Sequence, residues 1–122
     1  MEKLIIEEEY IDDVIVLILD GVIDSGTSQF LEDKFAEMVN AERVKIIVDL
    51  KNVKYISSAG WGIFVGEIKG IRKRGGDIKL ACMQPGVREV FELLEFNSLL
   101  EPFNSREEAL AGFGAGKNEK LL

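Results

Sequence analysis

The sequence predicts a single α/β domain, built on a mixed, mostly parallel sheet of about five strands with an N-terminal edge hairpin and about four helices. Three observations carry this reading. Short, β-branched apolar runs alternate with stretches of helical period; two such runs open the chain back to back; and no linker or internal repeat divides its 122 residues. A chain of this length buries a core without disulfide or metal staples. The domain is expected to span residues 1–113, with 114–122 as a flexible C-terminal tail.

The opening run, KLIIEEEYIDDVIVLILDG, reads as two strands around Ile11-Asp12-Asp13. The second, Val14 to Leu19, is apolar on both faces, as a central strand is. In TSQFLEDKFAEMVNA, Phe30, Leu31, Phe35, Met38 and Val39 fall on one helical face. Thr27 or Ser28 is the expected cap, with Glu32 and Asp33 in the first turns. VKIIVDL, Val44 to Leu50, is too short for a helix and suits a buried strand. KNVKYISSAG follows, and a second helix is expected from about Ala59 to Arg74, its apolar side marked by Trp61, Phe64, Val65, Ile68 and Ile71. RGGD ends it, because glycine accepts the left-handed cap conformation.

DIKLACM is a further strand, and PGVREVFELLEF a helix that starts on proline and carries Val87, Val90, Phe91 and Leu94 on one face. SLLEPF supplies a short fifth strand or extended segment. SREEALAGF closes as a helix with Ser105 and Glu108 in capping-box spacing.

Composition removes several function classes. The formal net charge of -7 argues against a duty built on nucleic-acid phosphates. The apolar runs are far short of the ~20 residues of a membrane helix. One cysteine, Cys82, makes no internal disulfide, and no secretion-type segment precedes the first charges, so a cytoplasmic protein is expected. The chain has no histidine, which removes Ser-His-Asp and Cys-His catalysis and the commonest zinc sites. No catalytic residue, metal site or cofactor is expected.

Weak motifs yield to ordinary readings. Ser58 in Ile56-Ser57-Ser58-Ala59-Gly60 lacks the first glycine of a hydrolase elbow, and nothing in the spacing of Lys51 or Lys54 singles out a Ser-Lys dyad. AGFGAGKN, Ala111 to Asn118, has alanine at the first P-loop glycine and asparagine at the magnesium-binding hydroxyl, and reads as tail. Lys69, Arg72, Lys73 and Arg74 suit the C-terminal dipole of a helix, and Cys82 reads as a small core residue.

Two loops remain. Asp24 and the Ser57-Ser58 pair both follow parallel strands at their C-terminal ends, where open sheets gather functional loops. If the strands are neighbours, the loops converge. One of the serines is expected to cap the helix; a hydroxyl there is also exposed, beside amides that would help hold an added phosphate. That chemistry suits a switch better than an enzyme.

IIVDLKNVKYISSAGWGIFV resembles the signature of bacterial anti-sigma-factor antagonists, small proteins of the STAS domain family: a strand ending in Asp49-Leu50, an aromatic-aliphatic pair at Tyr55-Ile56, and Ser57-Ser58-Ala59-Gly60 opening a helix. GVID, GGDIKLACMQPGVREVFELLEF and SREEAL extend the likeness along most of the chain. The resemblance implies a STAS-like fold and regulation by partner switching. The unphosphorylated antagonist binds an anti-sigma factor that is also a serine/threonine kinase and frees the sigma factor; phosphorylation releases it, and a phosphatase resets it. By motif position the acceptor is Ser58, with Ser57 the alternative, and Asp24, Ser57, Ser58, Ala59, Gly60 and Gly62 form the partner-binding set. No nucleic acid or membrane is implied as partner.

Ser57 stands where many members have aspartate, and Trp61 where leucine is usual; core packing is the preferred role for Trp61 over a partner anchor. Gly62, Gly66 and Gly70 cost about 1 kcal/mol each in helix propensity, explained either by close helix-to-sheet packing or by a flat docking surface. Two other functions compete: a STAS scaffold subunit of a larger signalling or transport assembly that is never phosphorylated, and a small enzyme or ligand-binding protein using Asp24, Ser57 and Ser58.

Overall fold

The computed structural model describes residues 3–114. Strands β1 (Leu4–Ile11) and β2 (Val14–Ile23) form the expected antiparallel hairpin. Then follow α1 (Ser28–Asn40), β3 (Lys45–Ile56), α2 (Ser58–Lys73), β4 (Asp77–Ala81), α3 (Pro85–Leu93), a 3-10 turn at Phe96–Ser98, β5 (Glu101–Phe103) and α4 (Arg106–Gly112). The sheet order is β1-β2-β3-β4-β5, parallel from β2 onward. Fold class and element order are those expected. The tail residues 115–122, and with them half of the P-loop-like run, lie outside the described residues.

Strand alternation sends successive side chains to opposite faces, and the helices divide unequally between them. Ile15, Leu17 and Leu19 of β2, with Ile46, Val48 and Leu50 of β3, pack under α1, α2 and α3, around Phe35, Phe64 and Phe91. On the other face, among the described residues, Val14, Val16, Ile47 and Ala81 are covered by one short helix, α4, through Ala109, with Leu110, Phe103 and Phe113 packed beside it.

Both central strands run beyond their apolar runs. β2 passes Leu19 to Ile23, and β3 passes Leu50 to Ile56, with Asp20 to Ile23 paired against Asn52 to Ile56. The pairing shifts register twice there, so the two-residue alternation that marks a strand is broken and the extension reads as loop. Gly21 permits the shift: its φ is +129°, and an added Cβ would lie 1.9 Å from the Lys3 carbonyl oxygen.

Several helix details differ from expectation. In α1, Leu31, Phe35 and Met38 are buried and Val39 partly so, but Phe30 is 59% exposed. The helix starts at Ser28, which leaves Glu32 and Asp33 beyond the first turn, and neither Thr27 nor Ser28 makes a side-chain cap. In α2, Ile63 joins the core while Val65 is only partly covered. In α3, Val87 and Phe91 are buried, but Val90 and Leu94 stay exposed. The end of α2 is as expected: Gly75 takes φ +85°, with Gly75 N–H donating to the Arg72 carbonyl and Gly76 N–H to that of Ile71, both at 3.0 Å. Cys82 lies just past β4, half-buried, with φ +64°. In α4, Ser105 caps by accepting from Glu108 N–H at 3.1 Å.

The thinly covered face is held by charge as well as apolar contact. Asp49, 2% exposed on β3, accepts from Arg106 Nη2 at 3.0 Å and from Lys51 N–H at 3.1 Å, while Arg106 Nη1 donates to Glu9 at 2.6 Å. One guanidinium thereby pins α4 across β3 and β1. Lys79, 5% exposed, pairs with Glu101 at 2.6 Å and Asp77 at 3.2 Å beneath the Phe103 and Phe113 rings. Arg106→Met strands the buried Asp49 carboxylate and is expected to cost about 3 kcal/mol in urea unfolding. Adding Asp49→Asn should recover part of that loss; strictly additive losses would contradict the coupling.

Candidate functional site

The C-terminal end of the parallel sheet gathers three loops. Between β2 and α1, Asp24 makes an Asx turn: its Oδ1 accepts from Gly26 N–H at 2.9 Å and Thr27 N–H at 3.1 Å. The Thr27 hydroxyl, 3% exposed, donates to the Val22 carbonyl at 2.8 Å and accepts from Asp24 N–H at 3.0 Å. The loop is thus closed on itself, and one Asp24 oxygen is spent on its shape. Sequence reading missed Thr27 in this role, although Asp-Ser-Gly-Thr is the composition of an Asx turn.

The β3–α2 loop is joined directly to it. Ser57 N–H donates to the Ile23 carbonyl at 2.8 Å, so the two expected loops do converge. Ser57 is the N-cap, with extended backbone, and its Oγ accepts from Gly60 N–H at 3.3 Å. Ser57 is half-buried, whereas Ser58, the first helical residue, is exposed and its hydroxyl has no hydrogen-bond partner among the described residues. The first intrahelical bond runs from Trp61 N–H to the Ser57 carbonyl at 2.9 Å, so the amides of Ser58 and Ala59 precede the ladder. The structure therefore divides two adjacent serines: one hydroxyl caps, the other is presented.

Gly60 is buried at the seam. A Cβ there would lie 2.7 Å from Ile23 Cγ2, 2.8 Å from Ile56 Cγ2 and 2.9 Å from the Ile23 carbonyl oxygen. Gly62, Gly66 and Gly70 are different: each is exposed and an added Cβ meets nothing within 4 Å, so close packing does not explain them. With exposed Ala59 they leave a shallow strip along α2. Exposed aromatics flank the site: Tyr55 before the loop and Phe30 in the first turn of α1. Along the strip, burial first and the Glu32 charge second push the Glu67 carboxyl above its ordinary range.

Trp61 faces inward as preferred, 2% exposed, with its ring centroid 5.1 Å from Phe96 and 5.7 Å from Phe91. The third loop is tied in by Gln84, whose Nε2 donates to the Lys51 carbonyl at 2.8 Å. No lysine amine bonds to either serine among the described residues. No group of three or more His, Cys, Asp or Glu positioned for a metal occurs among them either, nor a helix long and apolar enough to cross a membrane.

A family model described as STAS domain matches residues 6–109, most of the chain. The chain belongs to the STAS domain family. A relative from Bordetella bronchiseptica, BtrV, named as an anti-sigma factor antagonist, is 37% identical over 84% of this chain and 89% of its own length. An anti-sigma F factor antagonist of Paenibacillus polymyxa is 25% identical over 86% of this chain and 91% of its own. Among solved structures, the anti-sigma factor antagonist SpoIIAA of Bacillus in its unphosphorylated form superposes with TM-score 0.76, covering 90% of this chain and 96% of that one at 20% identity. Its phosphorylated form superposes at 0.68, and at such identities the likeness speaks for the STAS fold alone.

The seam has a direct test in stability. Gly60→Ala, which forces a methyl into Ile23 and Ile56, is expected to lose about 2 kcal/mol in denaturant unfolding. Gly62→Ala, with open space around it, should gain up to about 1 kcal/mol from helix propensity. Equal responses at the two positions would contradict the packing described.

Proposed function

We propose that this chain is an anti-sigma-factor antagonist, switched by phosphorylation of Ser58 by a serine/threonine kinase that is itself the anti-sigma factor and reset by a phosphatase, in the cytoplasm. The observation that carries the reading is the division of labour in Ser57-Ser58. Ser57 is consumed by the cap and by the bond to Ile23, while the Ser58 hydroxyl is exposed and unpaired at the same helix start. The relatives named as anti-sigma factor antagonists support the class of partner.

The mechanism follows from where a phosphate would sit. Transfer forms a bond from Ser58 Oγ to the γ-phosphorus of ATP, breaks the bond to ADP and releases the hydroxyl proton. The kinase supplies the base and nucleotide; this chain supplies a nucleophile on a rigid helix start. The partner lies over Ser58, Ala59 and the open strip from Gly62, with Asp24, Tyr55 and Phe30 at its margins. Gly60, buried, contributes by holding the two loops together rather than by contact. The free amides of Ser58 and Ala59 tolerate the phosphate, so the fold survives while the contact face gains ~2 negative charges. A partner docked there would have to desolvate that charge, and the complex dissociates.

Binding to the cognate kinase, measured with and without ATP, tests this. Ser58→Ala should bind as the wild type does yet remain bound when ATP is added. Ser58→Asp should bind at least tenfold more weakly, by about 1.4 kcal/mol or more. Release of Ser58→Ala by ATP at the wild-type rate would overturn the assignment. A stable complex with a non-kinase partner, unaffected by either substitution, would favour the scaffold reading.

A further inference from the structure

Four of the eight large hydrophobic side chains left exposed among the described residues come from one short stretch: Val90 (37%), Leu93 (77%), Leu94 (51%) and Leu99 (39%). The neighbouring charges are ordered around it. In α3, Val87 and Phe91 point into the core, so at 100° per residue Leu93 points outward, with Val90 and Leu94 on one flank and Arg88 and Glu92 on the other. The Arg88 flank faces β5, because its guanidinium bonds Asn104 at 3.3 Å as well as Glu92 at 3.0 Å. The leucine flank faces α2, where Arg72 Nη2 bonds the Leu99 carbonyl at 2.7 Å.

Across that junction α2 presents Lys69 and Lys73, exposed and without ion-pair partners among the described residues. On the far side of the leucines stand Glu89, likewise unpaired, and Glu92, which shares only Arg88. An apolar strip thus runs between an acidic and a basic margin.

We infer that this surface is a self-association interface, through which two copies of the chain pair about a two-fold axis. A two-fold contact must be complementary to itself, and this one is. With the axis lying along the leucine strip, Leu93, Leu94 and Leu99 meet their counterparts, while Glu89 and Glu92 of each copy face Lys69 and Lys73 of the other. A partner of a single charge would match one margin and be repelled by the other. Copies of a chain of net charge -7 repel one another, and Lys69 and Lys73 offset that repulsion locally on this surface. Ser58 lies eleven residues up α2 from Lys69, roughly 16 Å at 1.5 Å per residue, so pairing meets the glycine strip only at its Gly70 end and leaves Ser58 itself open. Pairing does not depend on phosphorylation of Ser58.

Sedimentation velocity from low micromolar to hundreds of micromolar tests it. The wild type should show a monomer–dimer equilibrium that weakens as salt is raised. Leu93→Gln with Leu94→Gln, both at exposed positions, should raise the dissociation constant at least roughly tenfold with an unchanged circular dichroism spectrum. Glu89→Lys/Glu92→Lys alone and Lys69→Glu/Lys73→Glu alone should each be monomeric, and their equimolar mixture should form a 1:1 heterodimer. Monomer at every wild-type concentration overturns the inference. So does a dimer indifferent to the leucine pair, or a mixture of charge variants that stays monomeric.

Discussion

The hydrogen bond from Ser57 N–H to the Ile23 carbonyl, with Gly60 wedged beside it, is the constraint on which the site depends. It joins the ends of two neighbouring parallel strands after their register has shifted twice. Ser57 is thereby fixed in the extended conformation that an N-cap requires, and α2 starts on the next residue. Everything presented at the surface follows: the exposed Ser58, the free amides, and the strip that leaves the loop along Gly62. A side chain at position 60 would push α2 away from Ile23, and the hydroxyl geometry would go with it.

The rest of the fold supports this end of the sheet from both faces, by different means. Three helices bury an apolar core on one side, and the aromatic group of Trp61, Phe64, Phe91 and Phe96 braces the start of α2 against α3. Among the described residues the other side has only α4, held by the apolar contacts around Ala109 and by Arg106 at the buried Asp49. Asp49 was legible as part of a family-like Asp-Leu pair; its structural duty, tying the last helix to the middle of the sheet, was not. The partner is nearly sixty residues away, and no local pattern encodes such a pair.

Fold class and element order were readable because the apolar runs are short, β-branched and separated by helical periods. The extensions of β2 and β3 were not, since Gly21 and the register shifts break the alternation that reveals a strand. Phe30, Val90 and Leu94 misled for the opposite reason: they sit near an apolar helical face, but tertiary packing uses a narrower one. At the site, the convergence of Asp24 with the serines was legible from the parallel-strand rule. Which serine would cap was left open by the sequence, because both stood next to the helix start, and one backbone bond decides it. The three spaced glycines of α2 were ambiguous in sequence, and open space at each of them removes the packing explanation.

The most direct measurement is site-resolved phosphopeptide mapping of the wild-type protein after incubation with ATP and the serine/threonine kinase proposed as its partner. The expected result is a single phosphate on Ser58, with none on Ser57, whose hydroxyl and amide are both engaged. Phosphate on Ser57, or no phosphate from a kinase active on a control substrate, would contradict the division of roles between the two serines.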